Sequence, residues 1–242
     1  MNDLKVYRWT GACGIAVFVL VLMEFPLWGV GAAPHINDAV AYSQYFAKIK
    51  DVALTRVLLD MAIAVSFVIF TAGFRHLIRK ARPEYEWAGT LAFGAGLLWM
   101  AVTLVADSMM GGAALDTLEG KADPTAVRAL VEGALLMLNG PMAFVTTGLF
   151  LGAAGYASWA TGALPRWSAW LAYAGAGLCA ASVPAMYAGT LDQARFYNAM
   201  GWGPIIVGSF PPIFWILAVG ILMVRKREAT PQPVPRPLVA AE

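Results

Sequence analysis

The stretch Thr55-Arg56-Val57-Leu58-Leu59-Asp60 places a cation and a carboxylate inside a segment that is otherwise apolar from about residue 53 to residue 78. A helix of about 20 apolar residues crosses the ~30 Å hydrocarbon core of a bilayer. Arg56 and Asp60 stand four positions apart, so they share a helix face, and we expect them to form an ion pair. An ionisable group inside a membrane span marks a functional site by default. The stretch therefore predicts a membrane fold and a site within it.

The chain as a whole has the composition of a membrane protein, because 60% of its 242 residues are hydrophobic and only 13% are charged. Apolar runs of spanning length lie at roughly 9–31, 53–78, 87–110, 128–157, 167–189 and 204–224. We predict an all-α fold, a polytopic bundle of six transmembrane helices over residues 1–227. A short interfacial helix is expected at 34–51, between the first two spans. The Pro-rich tail, 228–242, is predicted to be disordered and cytoplasmic.

Basic residues favour one side of this topology. Of the 17 Lys and Arg residues, eleven share a side: Lys5, Arg8, Arg75, Arg79, Lys80, Arg82, Arg166, Arg225, Lys226, Arg227 and Arg236. The positive-inside rule places that side, with both termini, in the cytoplasm and predicts a plasma-membrane protein. A net charge of +2 without a basic cluster does not indicate nucleic acid. The expected partners are membrane lipid and a small-molecule ligand.

Four carboxylates fall in the half of the membrane that is predicted to face outward. Glu24 and Asp60 lie about 10 Å below the ends of their spans, whereas Asp107 and Glu132 lie about 5 Å deep. Charged side chains that face lipid are costly, so these faces should turn inward. We expect a polar pocket that opens outward between spans 1 and 4.

Arg128 and Glu132 repeat the spacing of Arg56 and Asp60, with the acid one turn deeper in the membrane. We expect both pairs to line the pocket. For the shallower Asp107, Arg128 and Glu132 the alternative is that their side chains reach the membrane interface and fix the register of the helices.

Proline-marked breaks are predicted near the level of these charges. Asn139-Gly140-Pro141 interrupts span 4, and Asn139 shares a face with Glu132. Span 5 carries Ser182, Pro184 and Tyr187, and span 6 carries Ser209-Phe210-Pro211-Pro212. The breaks indicate either an enclosed cavity or plain kinks. The candidate ligand-binding residues are therefore Glu24, Arg56, Asp60, Asp107, Arg128, Glu132, Asn139 and Tyr187.

No cofactor and no metal is predicted. His35 and His76 fall on opposite sides of the membrane, which does not support a haem or a two-histidine metal site. The carboxylates suit a hard cation such as Ca²⁺ or Mg²⁺, but the two nearby arginines would repel it. The chain also lacks the motifs of common hydrolases and metalloproteases.

Three segments carry a resemblance to a known family. These segments are Leu164-Pro165-Arg166-Trp167 through Gly177, the 111–116 segment Gly-Gly-Ala-Ala-Leu-Asp, and the region around Arg128–Glu132. In them the chain resembles a broad bacterial family of uncharacterised six-span inner-membrane proteins of the actinobacterial type, which is grouped as a domain of unknown function. This resemblance implies the six-span bundle and brings no activity or catalytic residue.

Three functions remain open from the residues alone. The favoured hypothesis is a protein that binds or transports a small polar or amphipathic molecule, or relays protons. The second is an integral-membrane enzyme for a lipid or isoprenoid, in which a desolvated Asp60 or Glu24 stays protonated as general acid. The third is a structural accessory subunit.

Glycines of spans 3 to 5, such as Gly148 and Gly152, predict close helix packing within the bundle or, alternatively, a homodimer face.

Overall fold

The computed structural model describes residues 3–30, 33–119, 122–188, 196–198 and 201–225. All regular structure in these ranges is helical. Within the described ranges, six segments are long and apolar enough to cross a membrane: Leu4–Trp28, Ala39–Ala81, Pro83–Asp116, Pro124–Thr161, Arg166–Tyr187 and Trp202–Arg225. The predicted all-α membrane bundle of six spans is confirmed, and the predicted tail at 228–242 lies outside the described residues.

The spans differ in how continuous their helices are. The first three are built on α1 (Asp3–Glu24), which ends in the 3-10 turn Phe25–Gly29, and on α2 (Ala39–Ala81) and α3 (Glu86–Asp116). The fourth is divided into α4 (Pro124–Asn139) and α5 (Pro141–Thr161), and the fifth is α6 (Arg166–Ser182) with the 3-10 turn Val183–Tyr187. The last consists of the single turn α7 (Trp202–Pro204), the π-helical turn Ile205–Ser209 and α8 (Phe210–Arg225). The breaks predicted in the fourth and fifth spans are therefore interruptions of the α-helix. In the last span the irregular turn ends at Ser209, and Pro211 and Pro212 lie in the first turn of α8.

The predicted interfacial helix at 34–51 is not a separate element. Asp38 caps a helix that begins at Ala39, where its Oδ1 accepts the Ala41 N–H at 3.0 Å. That helix then continues for 43 residues to Ala81. Neither glycine nor proline occurs between Ala39 and Ala72, so nothing terminates it at the expected place. At 1.5 Å per residue it is about 65 Å long, twice the hydrocarbon thickness, so it extends well beyond a bilayer core.

The helices form a closed ring. α1 packs against α2 and α8, α2 against α3, α3 against α4 and α5, α5 against α6, and α6 against α8. The contact between α1 and α8 is closest at Gly11 and Gly220, where a Cβ on either residue would overlap the backbone of the other helix. Small residues at such positions let helix backbones approach each other in a membrane. Gly148 also packs internally, against Cys179 of α6, whereas Gly152 has open space beside it.

The ring is filled towards one end. We call the end that carries Arg75, Arg166 and Arg225 the basic end, and the opposite end, with Glu24, the acidic end. Trp215 is fully buried towards the basic end, edge-on to Phe70, Phe74 and Phe150. Its Nε1 donates to the Ser168 carbonyl at 2.9 Å, so its polar group is satisfied in a dry core.

The acidic half has a separate apolar cluster, formed by α2, α3 and α4. Phe46, Ala106, Val127 and Val131 lie at its centre. Members of this second cluster, such as Phe46 and Val131, also line a cavity near the acidic end.

Candidate functional site

A buried ion pair joins the first two spans at the acidic end. Glu24 is the last residue of α1 and is 4% exposed. Arg56 of α2 donates its Nε–H to Glu24 Oε1 at 3.0 Å. The Trp28 Nε1–H donates to the same oxygen at 2.8 Å, and the Arg56 guanidinium carbon lies 4.8 Å from the centre of the Trp28 ring. Glu24 thus receives two hydrogen bonds, and Trp28 holds both members of the pair.

The expected ion pair between Arg56 and Asp60 is replaced by this contact. Glu24 comes from the neighbouring helix, and the Trp28 ring orients the guanidinium towards it. Asp60 still lies within the electrostatic influence of Arg56, but its carboxyl group is next to that of Asp107 on α3. The helical spacing therefore predicted a shared face for Arg56 and Asp60, but not the acidic partners from neighbouring helices that the two residues contact.

The contact between Asp60 and Asp107 brings two acids together between packed helices. Their carboxyl groups lie within hydrogen-bonding reach of each other. Asp107 is 4% exposed, and its Oδ2 has no hydrogen-bond partner in the described part of the chain. Two carboxylates in such a place repel each other strongly. This pair is therefore suited to take up positive charge.

The second predicted pair forms as expected. Arg128 donates its Nε–H to Glu132 Oε1 at 3.0 Å, across one turn of α4. Both side chains are partly exposed, at 33% and 25%, so this pair is less buried than the one between Glu24 and Arg56. Glu132 also lies close enough to the Tyr42 hydroxyl to interact with it electrostatically. The pair therefore borders the site from α4.

A cavity of about 260 Å³ lies among the ends of the first, second, third, fourth and last spans. Arg56 and Asn139 contribute polar groups to its wall, together with Tyr42 and Tyr45. The remaining lining is mostly aromatic or aliphatic: Trp28, Ala33, Phe46, Ile49, Met110, Val131, Leu135, Leu138, Trp202 and Ile205. Such a mixture of apolar walls with a few polar groups is typical of small-molecule sites.

A smaller cavity of about 60 Å³ adjoins the first one. Glu24 lines it, with apolar residues such as Phe25 and Phe210. Trp28, Trp202 and Ile205 border both cavities. The ion pair therefore stands in the wall between them, with Arg56 on the larger side and Glu24 on the smaller.

The π-helical turn of the last span shapes the same wall. It begins at Ile205, which lines both cavities, and it includes Gly208. The Cys179 thiol donates to the Gly208 carbonyl, with the sulfur 3.4 Å from the oxygen. In an α-helix this carbonyl would accept from residue 212, which is a proline without an N–H, so the thiol satisfies it instead. π-Helical turns are rare and are often found at functional sites.

Tyr187 does not belong to this site. It is 84% exposed and lies at the end of the 3-10 turn that follows α6. The tighter turn changes the direction of its side chain, so the face predicted from α-helical spacing does not extend to it.

Sequence reasoning also missed contributors, notably Trp28, Tyr42, Tyr45 and Trp202. The spacing of four between Glu24 and Trp28 was the available signal for the first. Tyr42 and Tyr45 were assigned to an interfacial helix, and their return to the site follows from the unbroken α2.

Within the described ranges, no group of three or more His, Cys, Asp and Glu side chains is arranged to hold a metal ion. No protein-family model, curated protein or solved structure matches the chain.

Proposed function

We propose that this chain is a multi-pass protein of a bacterial plasma membrane that binds, or carries across, a small polar or amphipathic molecule. The observation that supports it is the 260 Å³ cavity, in which the Arg56 guanidinium is anchored by Glu24 and Trp28. The distribution of Lys and Arg supports cytoplasmic termini, so the cavity would lie in the outward half of the membrane.

The lining indicates the chemistry of the ligand. Arg56 donates its Nε–H to Glu24, so the two NH2 groups of its guanidinium form the cationic part of the cavity wall. The Tyr45 hydroxyl donates to the Val30 carbonyl at 3.0 Å, so it meets a ligand as an acceptor. Asn139, 3% exposed, supplies an amide at the break of span 4. Because ligand pockets usually enclose about 300–1,000 Å³, this cavity suits a small molecule or the polar head of a larger one.

A cavity-filling substitution tests this proposal. Leu135 lines the cavity, whereas Leu136, the next residue of α4, is 39% exposed and does not line it. Wild type, Leu135→Trp and Leu136→Trp would be extracted gently from membranes, and the co-purifying small molecules compared by mass spectrometry. We expect one specific molecule in wild type and in Leu136→Trp, and its loss from Leu135→Trp. Only bulk phospholipid in all three samples, with intact folds, would refute the proposal.

The orientation has its own test. In a variant without Cys13 and Cys179, a cysteine would be placed at Tyr187, which is 84% exposed near the acidic end, or at Trp167, which is 50% exposed near the basic end. A membrane-impermeant maleimide should label Tyr187→Cys in intact cells and Trp167→Cys only after permeabilisation. The reverse pattern would place the termini outside.

One observation favours a second function, an integral-membrane enzyme for a lipid or isoprenoid with a carboxylic acid as general acid. It is the placement of Asp60 beside the buried Asp107. Neither residue lines the two cavities described above, so binding is favoured. A co-purifying molecule that is chemically altered by wild type but intact in Asp60→Asn would indicate the enzyme.

A further inference from the structure

Asp60 of α2 and Asp107 of α3 bring two carboxyl groups into contact. An ionised carboxylate can only accept hydrogen bonds, so two carboxyl groups in contact are joined only if one of them carries a proton. Asp107 Oδ2 is buried without a partner in the described residues, and the carboxyl group of Asp60 lies beside Asp107. A proton on this pair would supply the missing donor.

The charges around the pair point the same way. α1 contributes Glu24, which adds negative charge and takes up the Nε–H of Arg56. α4 contributes Arg128 and Glu132, which neutralise each other at 3.0 Å. The sequence of α5 contains no charged residue. Counted as fully ionised, Glu24, Arg56, Asp60 and Asp107 therefore carry a formal charge of minus two, with one cation for three acids.

We propose that Asp60 and Asp107 form a binding site for a single proton, which their carboxyl groups share between α2 and α3. The proton comes from water and converts one carboxylate to a carboxylic acid, so the formal charge of the four residues becomes minus one. This inference goes beyond the proposed function, because it assigns a site outside the two cavities and holds whatever ligand they bind.

The proton site is linked to the cavities through Arg56. Asp60 lies one helical turn from Arg56, so an ionised Asp60 competes with Glu24 for the guanidinium. While the proton is bound, Glu24 keeps Arg56 in the ion pair described above. Loss of the proton shifts Arg56 towards Asp60 and weakens the ion pair in the wall between the cavities. Proton occupancy thus controls the polar wall of the larger cavity.

Infrared spectroscopy tests the site directly, because a protonated carboxylic acid has a carbonyl band separate from that of a carboxylate. Purified protein in lipid nanodiscs would be titrated with base, with the helical amide band as a measure of folding. We expect wild type to show a carboxylic acid band near neutral pH that disappears on titration. The band should be absent from both Asp60→Asn and Asp107→Asn, because the asparagine amide supplies the donor and the remaining aspartate ionises.

Glu132→Gln is the matched control, since it removes a membrane carboxylate that already has Arg128 as its partner. It should keep the band. A wild type without the band, or a band that survives either folded asparagine variant, would overturn the shared site. If neither asparagine variant folds, wild type labelled with 13C at its aspartate carboxyl groups decides: a carboxylic acid band that shifts with the label supports the site, and a band that does not shift overturns it. Ligand loss in Leu135→Trp is read by mass spectrometry, so failure of one proposal is distinguishable from failure of the other.

Discussion

Replacing Arg56 with methionine should destabilise the protein strongly, because it leaves Glu24 buried without its cation. The side chains of Glu24 and Arg56 are 6% and 17% exposed, so solvent screens their interaction little. Removing one partner of a buried ion pair costs about 3–5 kcal/mol. Trp28 would still donate to Glu24 Oε1. We therefore expect a loss at the lower end of that range, about 3 kcal/mol.

The reciprocal change should cost less. In Glu24→Gln the amide oxygen still accepts the Trp28 N–H, and Arg56 has Asp60 one turn away as an alternative partner. We expect a loss of about 1 kcal/mol, the size of one hydrogen bond. Combining the two substitutions removes both charges, so the double variant should be more stable than the sum of the single losses indicates.

The assay is reversible unfolding of the purified protein in mixed micelles, followed by circular dichroism. Arg128→Met is the control, because its pair with Glu132 is 33% and 25% exposed and should contribute about 1 kcal/mol or less. Equal losses of stability in Arg56→Met and Arg128→Met, or simply additive losses at Glu24 and Arg56, would show that burial does not strengthen the ion pair between Glu24 and Arg56.

Two further substitutions probe the walls of the site. Gly208→Ala should destabilise the protein by about 1–3 kcal/mol in the same unfolding assay, because its Cβ would overlap the ring of Phe144. Gly152→Ala is the control: Gly152 has open space beside it, so this variant should be neutral or slightly stabilising. Trp28→Phe keeps a ring against Arg56 but removes the donor to Glu24, so we expect the free energy of unfolding to fall by about 1 kcal/mol. A stability equal to that of wild type would show that the indole N–H has no structural role.

The spans and their breaks were predictable from the sequence because both depend on local information. Apolar runs of spanning length report the bilayer, and proline reports where an α-helix loses a backbone hydrogen bond. The breaks after Asn139 and near Pro184 were placed on this basis. The length of α2 was not predicted, because a change of polarity near residue 51 suggested a boundary that no helix-breaking residue enforces.

The candidate site was predicted in part, because helical spacing reports which residues share a face but not which helix lies opposite. Arg56 and Asp60 do share a face, yet their closest acidic partners, Glu24 and Asp107, come from other helices. Glu24 and Arg56 are 32 positions apart, a separation that only the packing of α1 on α2 resolves. Tyr187 was assigned to the site from α-helical spacing, but it lies in a 3-10 turn and is exposed, so spacing along an ideal α-helix did not place it correctly.

The closed ring has a consequence for biogenesis. Among the described helices α8 leaves the ribosome last, yet it fills the gap between α1 and α6 and supplies Trp215 to the core. Until α8 inserts, the five earlier spans therefore leave a groove one helix wide in the bilayer. In this groove Gly11 and Phe70 face lipid or an insertion factor. Assembly of the ring is therefore completed only when α8 packs between α1 and α6.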